Sequence, residues 1–200
     1  MAAMCRILVS LSLAMGSAAG DVGAQMRAVP LAASGIVYEM DRYSVVPPQG
    51  KDWFELKRDK QNVYFGKKIA SRTHSFIATA MSTTINEKFS NPEDFRDYVS
   101  RIFPFHGDRR HAVIENQVEV DNTLGRFCVK YYTKAADRDA IYARGKTLFS
   151  ETYGFNCLHP DNPRLSIDIA YTERGHPSEF NVALRAEGEN FMRSLKFLSR

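Results

Sequence analysis

Residues 112–134, AVIENQVEVDNTLGRFCVKYYTK, decide the fold. The stretch opens on strict alternation. Ile114, Val118 and Val120 share one face of an extended chain, and Glu115, Gln117, Glu119 and Asp121 share the other. Residues 122–125, NTLG, supply turn chemistry, and RFCVKYYTK resumes with β-branched and aromatic residues. Two alternating runs around a turn predict an antiparallel hairpin.

The same reading extends outward. Downstream, TLFSETYGFNCLHP and LSIDIAYTE read as two more strands, separated by a loop over residues 160–163. Upstream, GIVYEMDRY reads as a first strand, punctuated by Pro47, Pro48 and Gly50. WFELKRD and NVYFGKKI form a pair across the polar cluster 59–62, and HSFIATAMSTTI is another strand. The clearest helix is NPEDFRDYVSRIF. Asn91 caps it, Pro92 takes its first position, and Glu93 and Asp94 complement its positive end. Phe95, Tyr98, Val99 and Ile102 make its apolar stripe, and Pro104 stops it. ALRAEGENFMRSLKFL predicts a closing helix with Leu184, Phe191, Met192 and Leu195 on one face, although Gly188 costs it about 1 kcal/mol.

These elements predict a two-layer α+β domain over residues 35–200: an antiparallel sheet of about six to eight strands with two main helices on one face. The closing GENFMRSLKF, after a strand such as LSIDIAYTE, resembles the C-terminal helix of PsbP-like extracytoplasmic proteins and of uncharacterised bacterial exported α+β proteins. That resemblance implies a central antiparallel sheet. It carries over no functional residue.

The chain begins MAAMCRILVSLSLAMGSAAGDVGAQ, with a charged start, an apolar run over residues 7–15 and small residues after it. This is the layout of a secretory signal peptide over residues 1–24, cleaved after Ala24, with cleavage after Ala19 the alternative. The run falls short of the roughly 20 apolar residues a membrane span needs. No later stretch is long enough either, so no span is expected in the mature chain. Residues 25–34 are small and unpatterned and read as a flexible mature N-terminus. The absence of Asn-x-Ser/Thr sequons fits a bacterial source, and the expected location is the periplasm or the extracellular medium.

Export sets the reading of Cys128 and Cys157, the two cysteines beyond the leader. In an oxidising compartment they are expected to pair, and the staple would stabilise the fold by roughly 3–4 kcal/mol. A metal site built from Cys128, Cys157 and His159 is the alternative, but one Cys-x-His pair falls short of the paired spacing of structural zinc. No cofactor is called for.

Catalytic motifs are missing. There is no nucleophile elbow, phosphate-binding glycine loop or His-Glu-x-x-His. Five weaker candidates remain. Lys57, Arg58, Lys67 and Lys68 lie in a stretch, residues 51–72, with seven basic and three acidic residues, which suits an anionic surface. Arg109 and Arg110 could grip a carboxylate or phosphate. His159 and Asp161 follow Cys157 and would centre an envelope hydrolase. Glu115 and Glu119 share one strand face and could act as a catalytic carboxylate pair, or simply line a solvated face. Tyr131, Tyr132, Phe149, Tyr153, Phe155 and Tyr171 could line a sugar or lipid pocket, or simply fill a core. The leading expectation is therefore an exported, non-catalytic binding protein. Its partner would be an anionic envelope component or another envelope protein, and not nucleic acid.

Overall fold

The computed structural model describes residues 29–31, 35–102, 110–140, 143 and 145–199. The leader over residues 1–24 and Arg109 lie outside them. Among the described residues, eleven strands, two α-helices and a short 3-10 turn (Pro177–Glu179) follow in chain order. The strands are β1 (Val29–Pro30), β2 (Tyr38–Glu39), β3 (Tyr43–Val45), β4 (Trp53–Arg58), β5 (Asn62–Lys67), β6 (Ser75–Thr84), β7 (His111–Val120), β8 (Cys128–Asp137), β9 (Leu148–His159), β10 (Asn162–Gly175) and β11 (Lys196–Phe197). The helices are α1 (Pro92–Ile102), between β6 and β7, and α2 (Val182–Arg193), between β10 and β11.

Eight strands form one antiparallel sheet in the order β1-β4-β5-β6-β10-β9-β8-β7. A second, three-stranded sheet runs β11-β3-β2. The hairpin read from residues 112–134 is β7–β8, with Glu119 opposite Lys130 and Gln117 opposite Tyr132. A bulge between Val113 and Glu115 breaks its register. Ile114 consequently leaves the apolar face assigned to it and is 55% exposed.

The two-layer α+β expectation, with both helices on one face, is corrected. The molecule is mostly β, with a second sheet, and its helices sit on opposite faces of the large sheet. Successive strand residues point to opposite sides. Cys128 and Cys157 belong to the cluster that includes Leu184, Phe191 and Met192 of α2. Val129 and Leu158, the next residues along, lie against Phe95 and Val99 of α1. The middle of β9 and β10 is accordingly buried on both sides. The second sheet arises where α2 ends at Ser194 and the chain turns extended, so Lys196 and Phe197 pair with Ser44 and Tyr43. The closing segment is thus a helix followed by a strand. The expected first strand, 35–43, is likewise two short strands with Met40, Asp41 and Arg42 between them. Val29 and Pro30, within the stretch read as unpatterned, pair with Glu55 and Phe54 at the sheet edge.

Local chemistry explains the helices. Asn91 accepts the Asp94 backbone N–H at 2.8 Å, and Asn181 caps α2 by accepting from Ala183 at 2.8 Å. Gly188 has a steric reason: a Cβ there would lie 2.5 Å from the Tyr171 ring, so α2 rests its backbone directly on that aromatic.

Candidate site: an aromatic-floored cleft beside α2

Cys128 and Cys157 are direct cross-strand partners on β8 and β9 and form a disulfide, their Cα atoms 4.1 Å apart. That is the narrower of the two antiparallel spacings. The bond leaves neither sulfur for the Cys128–Cys157–His159 metal site weighed above.

The remaining sequence candidates do not gather into one place. His159 is 1% exposed. Its Nδ1 accepts the Asp161 backbone N–H at 3.1 Å in the β9–β10 turn and its Nε2 lies 3.2 Å from the Leu198 carbonyl, so the ring ties that turn to the segment after β11. Asp161 is exposed and accepts the Ser199 hydroxyl at 2.6 Å. Arg110 is engaged with Asp137, its Nε 2.8 Å from Oδ1. On the basic hairpin, Lys67 donates to Glu187 of α2 at 2.5 Å and sits 5.3 Å from the Trp53 ring centre. Arg58 stacks over Tyr38 at 4.6 Å and pairs with Glu55 at 3.5 Å. Lys57 and Lys68 are exposed at opposite ends of β4–β5.

Another face does converge. α2 covers β10 and β6, and beside it the sheet is left open over β9, β8 and β7, where a cleft of about 510 Å³ forms. Its floor is aromatic. Tyr132, Tyr153 and Tyr171 occupy matching positions on β8, β9 and β10. Their ring centres are 4.6 Å apart for the first pair and 5.2 Å for the second. Phe76 continues the row from Tyr171 at 5.4 Å. The row lies close under the helix because Tyr171 carries α2 and Gly188 leaves it room. Phe155 completes the floor.

The rim is acidic. Glu115 and Glu119 of β7, Asp121 after it and Glu189 of α2 face two cations, Lys130 and Arg193. Lys130 is 3.7 Å from Glu119. Burial would raise the Asp121 carboxyl, but hydrogen bonds from Thr123, reinforced by Lys130 and Arg193, hold it below the usual range. A chain of net charge +4 thus concentrates four carboxylates around one opening. Burial, partly opposed by Arg185 and assisted by Glu151, pushes the Tyr153 hydroxyl up to about 12. The floor therefore stays neutral at ordinary pH.

Charged networks hold the cleft's far end. Arg185 donates to Glu151 at 2.7 Å and stands over Tyr153, while Lys134 reaches Glu151 at 2.9 Å. Glu173, 1% exposed, accepts the Asn181 N–H at 2.9 Å and lies 2.9 Å from His74 Nε2. On the opposite face of the sheet, Tyr131 crosses over Gly154 to donate to Asp168 at 3.1 Å, and Asn156 donates to the same carboxyl at 3.2 Å. Sequence reading missed Asp168, Glu151, Glu173 and Glu189. An Asp inside the apolar run LSIDIAY was the visible signal for the first. The others needed the topology.

No family model matches the chain, and no curated protein matches it. Among solved structures, the Ran-binding protein Mog1p of Saccharomyces cerevisiae is similar with a TM-score of 0.45 at 6% identity, over 78% of this chain and 90% of that one. A point mutant of Mog1 gives 0.47 at 8% identity, over 86% of this chain and 96% of that one. These are likenesses of chain course.

Proposed function

We propose that the chain is an exported, non-catalytic binding module, stapled by the Cys128–Cys157 disulfide, and that it takes an elongated cationic ligand in the cleft between α2 and β7–β9. The observation that carries this reading is the juxtaposition of a neutral tyrosine floor with a four-carboxylate rim. Aromatic faces attract cations through their quadrupole, and carboxylates at the rim fix the charge. Among the described residues the charged lining is four carboxylates and two cations, a balance that favours a cationic ligand. The partner expectation shifts accordingly, from an anionic surface gripped by the hairpin to a cationic group held by the cleft. Export is supported by the leader-like start and agrees with a disulfide.

The test is calorimetric titration of the mature protein with spermidine at low ionic strength. The reading expects saturable binding that weakens with salt and is lost in the triple variant Glu115→Gln, Glu119→Gln, Glu189→Gln. Binding that survives the triple variant unchanged overturns it. Intact mass of the protein from the cell envelope tests export: a chain starting at Gln25 supports it, and a retained Met1 refutes it.

A further inference from the structure

The two edges of the large sheet are built differently. At one, β1 is two residues long and carries Pro30, which has no N–H to offer a neighbour. At the other, β7 is ten residues long and, among the described residues, has no partner on its outer side. The Asp121 N–H bonds to the Cys128 carbonyl, so pairing alternation points the N–H and C=O groups of Asn116, Val118 and Val120 away from β8. These groups form an open hydrogen-bonding ladder beyond the bulge at Val113–Glu115.

The flanks of this ladder differ in chemistry. On the cleft side stand Glu115, Gln117 and Glu119, all exposed. On the other side Val118 lies against the α1 cluster and Val120 is partly buried. A second copy of this chain fits poorly. Antiparallel self-pairing centred on Gln117 would set Glu115 opposite Glu119, like charge against like.

Resting on the cleft reading above, we propose that β7 accepts an added strand from a basic partner polypeptide. The partner's backbone would bond to the Asn116–Val120 ladder. Its alternate lysines or arginines would face Glu115 and Glu119 and lean over Tyr132. The intervening side chains, apolar or small, would lie on the Val118–Val120 side. Main-chain bonds supply the affinity in this mode and alternate side chains the selectivity.

The probe is a fluorescein-labelled peptide, Lys-Thr-Lys-Val-Lys-Thr-Lys, followed by anisotropy with the disulfide intact. A second peptide of identical sequence and charge is N-methylated on the backbone of alternate residues, which removes donors without touching the side chains. The inference expects the methylated peptide, and separately the Glu115→Lys, Glu119→Lys variant, to bind at least about tenfold more weakly. Equal binding of the two peptides overturns strand addition. Spermidine separates strand addition from the cleft reading. If it still titrates the cleft while neither peptide binds, the strand inference falls alone. If spermidine also fails, the cleft reading falls with it.

Discussion

Asp168 offers the sharpest test of the interior. Its carboxyl is buried with Tyr131, Asn156 and Ser166, the last donating to Asn156 at 2.5 Å. Burial raises its pKa to about 7, although hydrogen bonds from Tyr131 and Asn156 pull the other way. An unfolded Asp titrates near 3.9. The folded pKa is the higher one, so the stabilising contribution is complete below about pH 4 and is lost as pH rises through 7. At about 1.4 kcal/mol per unit, three units amount to about 4 kcal/mol in all, of which about 2 kcal/mol falls between pH 5 and 7. Asp168→Asn keeps the shape and the acceptor but cannot ionise. Urea unfolding followed by the fluorescence of Trp53, the single tryptophan, measures both proteins across this range. Wild type should lose about 2 kcal/mol relative to the variant from pH 5 to 7, and the variant should be the more stable above pH 7. Parallel curves for the two proteins would refute the reasoning.

Other outcomes follow from single contacts. Gly188→Ala should destabilise by about 1–3 kcal/mol despite the better helix former, because its Cβ meets the Tyr171 ring; a raised melting temperature would contradict this. Opening the disulfide with the pair Cys128→Ser, Cys157→Ser should cost about 2–4 kcal/mol in denaturant unfolding. Burial would raise the Asp137 carboxyl, but Arg110 and Arg174 hold it at about 2. Its contribution is present above the unfolded pKa near 3.9 and lost as pH falls toward 2, and Asp137→Asn should cost about 2–3 kcal/mol at neutral pH and flatten the acid limb of a thermal melt.

Much of the sheet was legible because alternation is a local signal. The β7–β8 hairpin, the β4–β5 pair and the α1 cap are each written in a few consecutive residues. The opposite placement of the helices was not legible, since it depends on Val129 and Leu158 being covered from one side and Cys128 and Cys157 from the other. The helix-to-strand change after Arg193 was hidden too: Leu195 continues the helical stripe of Phe191 and Met192, and the pairing of Lys196 and Phe197 with β3 decides otherwise. The cleft was legible only as ingredients. Glu115, Glu119, Tyr132 and Tyr153 stood out as residue types, but the sheet order joins them and brings Glu189 and Arg193 alongside. The basic hairpin was legible as a charge run, but where its side chains turn was not. Its charges are adjacent in sequence, yet Lys67 turns to Glu187 and Arg58 to Tyr38.

The central claim is that ligand enters the cleft beside α2. The most direct measurement is amide chemical-shift mapping of the isotope-labelled mature protein titrated with the basic peptide. The account predicts that the largest shifts fall on residues 115–121, 130–132, 153–155 and 189–193. Shifts centred instead on Lys57–Lys68 or on His159–Asp161 would contradict it and return the site to the hairpin or to the chain terminus.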